Sequence, residues 1–230
     1  MSDGLINGPV AAACGLIAIV MLALAVVRAR SDLDDRTAPM AGLVTAFVFA
    51  VQMINFPILP GASGHLLGGA LVAILVGPWV GMICISIVLA VQALLFADGG
   101  LTALGANIVN MAIISVFVGY GVALVLRGFA VRSRGGLLAT AFVAALIGTV
   151  AASLGFVVEY ALGGAGGASL GTVFTLMVGF HVLIGIGEGV ITAATVGAVA
   201  SIRPDLVYLL RGSAPALQVR DDGVTEGSAS

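Results

Sequence analysis

The chain has 230 residues, 60% of them hydrophobic and only 9% charged, against about 25% charged in an ordinary soluble domain. A mean hydropathy of +1.22 excludes a soluble globular domain. The formal net charge of −2, carried with no lysine and nine arginines in small separate groups, excludes the basic patch that binds nucleic acid.

Taken in chain order, the elements are those of an all-α, polytopic membrane helix bundle. Met1 to Pro9 is short, polar and turn-like; Asp3 or Asn7 can cap the first helix, with Pro9 in its first turn. The first apolar run, 8–27, has no basic residues before it and is followed by Arg28 and Arg30. It reads as a retained anchor, not a cleaved signal. Residues 37–97 then carry no Asp, Glu, Lys or Arg, too long a stretch for one crossing of about 20 residues. Pro57, Pro60, Gly61 and Gly64, and further on Gly77-Pro78, divide it into 37–56, 65–77 and 79–97. The runs 106–126, 136–159 and 172–202 complete the set.

Arginine placement decides the count. The nine arginines form three clusters, at 28–36, 127–134 and 203–220. If each cluster is cytoplasmic, an even number of crossings separates successive clusters, and 37–97 must supply three. Seven helices follow, with the N-terminus outside and the C-terminus in the cytoplasm. Residues 1–210 form a single transmembrane domain, and 211–230 a short cytoplasmic tail expected to be disordered. Cys14 and Cys84 lie in apolar runs and read as small buried hydrophobes. Ala11 with Gly15, and Gly185 with Gly189, have the spacing of close helix contacts. No internal repeat supports an inverted-repeat transporter.

The outer loops, near 57–64, 98–105 and 160–171, hold no arginine, and His65 falls on their side, beside the N-terminus. An ionisable residue at such a place is a functional candidate. It reads as the start of a helix near the outer surface, either a neutral ring satisfied by loop carbonyls or a metal ligand. Asn107 can cap the fifth helix or fix the ring of His65, and Asn110 lies one turn on. His181 and Glu188, seven apart, share a helix face; structural pairing or subunit docking is favoured over metal ligation. Glu159 stands at an outer helix end, within reach of the interface. Two other classes compete. Gly61-Ala62-Ser63-Gly64 matches the nucleophile turn of a rhomboid-like intramembrane serine protease, with His181 as base, although its Trp-Arg loop is missing at Trp79-Val80. A secondary ion transporter or channel is the other, disfavoured by the scarcity of membrane carboxylates.

Several stretches together resemble one family. They are Ser2-Asp3-Gly4-Leu5, Ala38-Pro39-Met40, Asn55-Phe56-Pro57, Gly64-His65-Leu66-Leu67-Gly68-Gly69, Gly105-Ala106-Asn107, and the block from Ile184-Gly185 to Glu188-Gly189-Val190-Ile191-Thr192. The chain is similar, over nearly all of residues 1–202, to the substrate-binding membrane component of cobalt/nickel energy-coupling-factor (ECF-type ABC) importers, the CbiM/NikM-like family. The resemblance implies seven helices with the N-terminus outside, a place in the cell membrane, and Co2+ or Ni2+ as transported substrate. It implies a near-planar set of nitrogens: the N-terminal amine, the second residue's amide and imidazole, and a histidine at the position of His65. It implies as partners a membrane coupling (T) subunit, cytoplasmic ATPases and, in some members, a small accessory membrane subunit. No catalysis is expected of this chain, which has no lysine for a phosphate-binding Gly-Lys-Ser/Thr loop.

The N-terminus departs from the family pattern. Members begin Met-His, whereas this chain begins Met1-Ser2-Asp3-Gly4, with Met1 where the third residue stands. The expectation is a native start two residues upstream, Met-His-Met1-Ser2, with Met1 in the site only if the N-terminal region forms it.

Overall fold

A computed structural model describes residues 1–34 and 37–211; the expected tail, apart from Arg211, lies outside them. The helices are α1 (Gly8–Ala29), α2 (Thr37–Gln52), α3 (Gly69–Val76), α4 (Pro78–Leu95), α5 (Leu104–Val125), α6 (Arg134–Gly163) and α7 (Leu170–Ile202). One helical turn at Arg127–Ala130 and two 3-10 turns, Pro204–Leu206 and Tyr208–Leu210, link or follow them. Five helices, α1 and α4 to α7, are long and apolar enough to cross a bilayer; α2 is apolar but has 16 residues, and α3 has eight.

Local chemistry sets the ends of these elements. Asn7 caps α1, its Oδ1 accepting from the Val10 N–H at 3.1 Å, with Pro9 in the first turn. Gly77 closes α3 at φ +92°, open to glycine at little cost, and Pro78 starts α4 where its missing N–H is not needed. Within α5, Ile108–Ile114 widens into a π-helical turn. Such turns are frequent at functional sites.

The core is built around α3, whose residues Ala70 to Val76 are at most 2% exposed. A helix apolar on every side is one enclosed by others. The long α6 and α7 run antiparallel: a Cβ on Gly185 would stand 2.8 Å from Leu146 of α6, and one on Gly189 2.6 Å from Phe142. Gly105 of α5 packs on α1, where a Cβ would meet the Gly15 backbone at 2.5 Å. The small-residue pairs of the sequence therefore mark real helix contacts.

The structure corrects the reading of 53–68. Phe56–Leu59 and Ala62–Gly64 are antiparallel strands β1 and β2, paired Phe56 with Gly64 and Pro57 with Ser63, with an irregularity after Pro57. The fold is thus helical with one small hairpin. Its glycine turn, Gly61 at φ +81°, reverses the chain, and the hairpin leans on α7 through the Phe56–Phe180 ring contact at 6.3 Å. Residues 65–68 have no regular secondary structure, Gly68 being left-handed at φ +79°, and α3 begins only at Gly69, so His65 does not start a helix.

The two ends of the bundle differ in chemistry. At one, the N-terminal segment ties three loops together. The Ser2 N–H donates to Gly61 O at 2.8 Å, the Gly100 N–H to Met1 O at 3.0 Å, and the Ala165 N–H to Leu5 O at 2.9 Å. At the other, Arg127 donates to the carbonyls of Leu209 (3.0 Å) and Arg211 (2.6 Å), and Arg211 to Thr37 Oγ1 (2.6 Å). The links that carry the arginine clusters therefore meet at one end.

Candidate functional site

The N-terminal segment is seated by the loops it ties. The Asp3 carboxylate accepts from the Thr102 N–H (2.8 Å), the Thr102 hydroxyl (2.6 Å) and the Ala103 N–H (3.1 Å). It supplies a cap for the incoming turn of α5 from a distant part of the chain. These hydrogen bonds hold Asp3 below the usual carboxylate range, the Thr102 hydroxyl contributing most. Asp3 thus caps α5 and Asn7 caps α1. Asn107, expected as a possible cap of α5, lies one turn inside it and donates through Nδ2 to the Met1 carbonyl at 3.1 Å. With Gly100 as second donor, that carbonyl is fixed and the Met1 amine beside it is buried, which lowers its pKa from 8.0.

Met1 and His65 line one cavity of about 50 Å³ with Ser63, Asn107, Asn110 and His181, closed by Met111, Ala152, Phe156 and Met177. His181 lies roughly 16 Å along α7 from its start at 1.5 Å per residue, so the cavity is well inside the bundle. Two imidazoles from distant elements thus share one wall.

Both rings have a defined tautomer. His65 Nδ1 is 2.9 Å from the Leu66 carbonyl, and His181 Nδ1 is 2.7 Å from that of Met177. A carbonyl oxygen only accepts, so each Nδ1 carries the proton and, in the neutral ring, each Nε2 keeps its lone pair. Two imidazole nitrogens and an amine form a donor set suited to nickel, cobalt and copper ions. Among the described residues no three His, Cys, Asp or Glu side chains cluster as a metal site; the donors at hand are the two rings and the chain's own nitrogen.

Carboxylates hold the wall from behind. Glu159 is 6% exposed, not at the interface as the sequence suggested. It accepts from Asn110 Nδ2 at 2.7 Å and from Cys14 Sγ at 3.4 Å, linking α1, the π turn of α5 and α6. Glu188 accepts from the Leu67 N–H (2.8 Å), the Gly68 N–H (2.9 Å) and the Thr149 hydroxyl (2.9 Å). It does not pair with His181; it holds the segment that follows His65, at the positive end of α3. Gln52 donates to the Leu67 carbonyl at 2.7 Å. Sequence reasoning missed Gln52, because a glutamine near a helix end carries no signal of a loop partner 15 residues on. Ser63 lines the same cavity as His181, yet no hydrogen bond joins them among the described residues, and His181 Nδ1 is committed to Met177.

Helices able to cross a bilayer, wrapped around an interior cavity that Met1, His65 and His181 line, define a multi-pass membrane protein. The chain belongs to the CbiM family, the cobalt uptake substrate-specific transmembrane region, whose model matches residues 1–206. It is 38% identical over 208 residues to a Haloquadratum walsbyi protein described as a metal transport protein, covering 90% of this chain and 92% of that relative. It is 33% identical to the cobalt transport protein CbiM of Sorangium cellulosum, covering 84% and 86% of the two chains. A crystal structure of a transition metal transporter is similar at a TM-score of 0.82 and 29% identity, over 92% of this chain and 99% of that one.

Proposed function

We propose that this chain captures Co2+ or Ni2+ as the substrate-binding subunit of an ATP-driven importer in the cell membrane. His65 and the N-terminal nitrogen act as ligands. The observation that carries this reading is the shared cavity of Met1, His65 and His181, in which both imidazoles keep Nε2 as an electron-pair donor. Asn107 orients the N-terminus through the Met1 carbonyl, and Asn110 and Glu188 steady the walls. His181 stands on the cavity wall, so its role is structural or, through Nε2, that of an additional donor.

Counting α2 and α3 with the five long helices gives seven crossings. Gathering of the arginine-bearing links at one end supports an external N-terminus. The metal site then faces the outer side, and the ion is released inward by a membrane coupling subunit and cytoplasmic ATPases, with or without a small accessory membrane subunit. The chain is 36% identical to the fused nickel transport protein NikMN of Rhodobacter capsulatus but spans 56% of it, which supports work alongside a further membrane module. Equilibrium dialysis of the purified protein with Ni2+ and Co2+ tests the capture step. One ion per chain is expected, and His65→Ala should abolish it. Full-occupancy binding by that variant would reject the site.

A further inference from the structure

The segment that carries His65 into α3 is held by side chains from two other helices. Both polar backbone groups of Leu67 are taken: its N–H by Glu188 of α7 at 2.8 Å, its carbonyl by Gln52 of α2 at 2.7 Å. The Gly68 N–H goes to the other oxygen of Glu188 at 2.9 Å, and the Leu66 carbonyl receives His65 itself. Every polar bond that fixes the chain just after His65 thus ends on the His65 ring, Gln52 or Glu188, apart from Gly68 O, which opens α3 through the Val72 N–H.

Beside this clamp is a second, separate cavity of about 20 Å³, lined by Gln52, Glu188 and Thr192 together with Leu66 and Gly68. Gln52 and Thr192 are each 1% exposed, and Gln52 Oε1 and Thr192 Oγ1 make no hydrogen bond among the described residues. Buried polar atoms are paired in stable folds, and a polar space of roughly 10–15 Å³ or more holds one water that needs two to four partners. The rest of the lining is apolar, with Val48, Val51 and Ile191 among it, so these groups are the polar part of the cavity. A water there would donate to Gln52 Oε1 and to the Glu188 carboxylate, and accept from the Thr192 hydroxyl.

We infer that Gln52 and Glu188 are positioning residues for His65, and that one water bound between them and Thr192 completes the brace. This rests on the reading of His65 as a metal ligand. The brace acts through the Leu67 peptide, two residues from the ring; Leu67 lines the cavity, while Gln52 and Glu188 stand behind it. Its effect is to keep the imidazole in one place before the ion arrives. Partners that orient a metal-bound histidine from behind are typically worth about 10–100-fold in affinity.

The test uses the purified full chain in lipid nanodiscs, with Ni2+ alone as probe, and reads affinity and the ligand-field absorption of the bound ion. The variants are His65→Ala, Glu188→Gln, Gln52→Leu, Thr192→Val and Thr192→Ser. Glu188→Gln and Gln52→Leu should weaken Ni2+ binding about 10–100-fold and shift the absorption band. Thr192→Val, which keeps the shape and loses the hydroxyl, should weaken it less, and Thr192→Ser should restore it. The Thr192 pair carries the test if the clamp variants do not fold. Loss of binding in His65→Ala, with unchanged affinity and absorption in Glu188→Gln, Gln52→Leu and Thr192→Val, would overturn the brace and leave the metal site standing. Unchanged binding in His65→Ala would overturn the metal site itself. A requirement for sodium over choline in the buffer would replace the water by a cation and overturn that assignment.

Discussion

His65 and His181 each commit one ring nitrogen to a backbone carbonyl, at 2.9 and 2.7 Å, and thereby free the other. Burial, which costs a charged group its solvation, lowers the pKa of the Met1 amine from 8.0 and so favours its neutral, ion-binding form. The pH dependence follows in sign. Binding needs an unprotonated nitrogen, and the pKa of the Met1 amine lies below its ordinary 8.0. Ni2+ affinity should therefore begin to fall at lower pH than it would with an exposed amine. Dialysis at stepped pH in which the loss sets in as high as for a free amine would contradict it. At the N-terminus, adding Met-His before Met1 supplies a further imidazole from the segment whose nitrogen is buried beside the cavity. Calorimetry should show Ni2+ binding at least about tenfold tighter than for the chain starting at Met1; unchanged affinity would remove the N-terminal segment from the site. His65 was legible from sequence as an ionisable residue in an uncharged stretch. The functions of Asp3, Asn107 and Gln52 were not, since each bonds to a backbone group far along the chain and leaves no local pattern.

Elements show the same division between local and distant causes. The break at Gly77-Pro78 was readable because one residue sets its own φ and the next lacks a donor. The hairpin at 56–64 was not, for strands of four and three residues containing Pro57 look like a turn. Its inward lean depends on Phe180 and Ile184 of α7, which sequence distance hides. The approach of α1 to α5 gives a sharp contrast between two glycines in mutual contact. A Cβ on Gly105 would meet the Gly15 backbone at 2.5 Å, whereas one on Gly15 meets nothing within 4 Å. Gly105→Ala should cost about 1–3 kcal/mol through overpacking, and Gly15→Ala should be neutral. Thermal unfolding in detergent distinguishes them, and equal effects would contradict the packing described. The π turn of α5 belongs at this scale too: it carries Asn110, whose amide reaches Glu159 of α6 at 2.7 Å.

For the molecule as a whole, charge placement was the most informative property of the sequence. If all three arginine clusters are cytoplasmic, an even number of crossings separates them, and the contacts of Arg127 and Arg211 with Leu209 and Thr37 bring the links that bear them to one end. Within the uncharged stretch, an irregular segment leads into the eight enclosed residues of α3. This is allowed because non-helical backbone at such depth is surrounded by protein and bonded to Glu188 and Gln52. At the same time it carries His65 into the interior, where the N-terminus closes the end above it. The proposed role of this interior histidine is capture of the ion for active import. Uptake of radioactive nickel by cells expressing the chain with its coupling and ATPase subunits tests it most directly, against the chain alone and against His65→Ala. Uptake should require the partner subunits and disappear with His65→Ala expressed at equal level; uptake undiminished by that substitution would contradict the account.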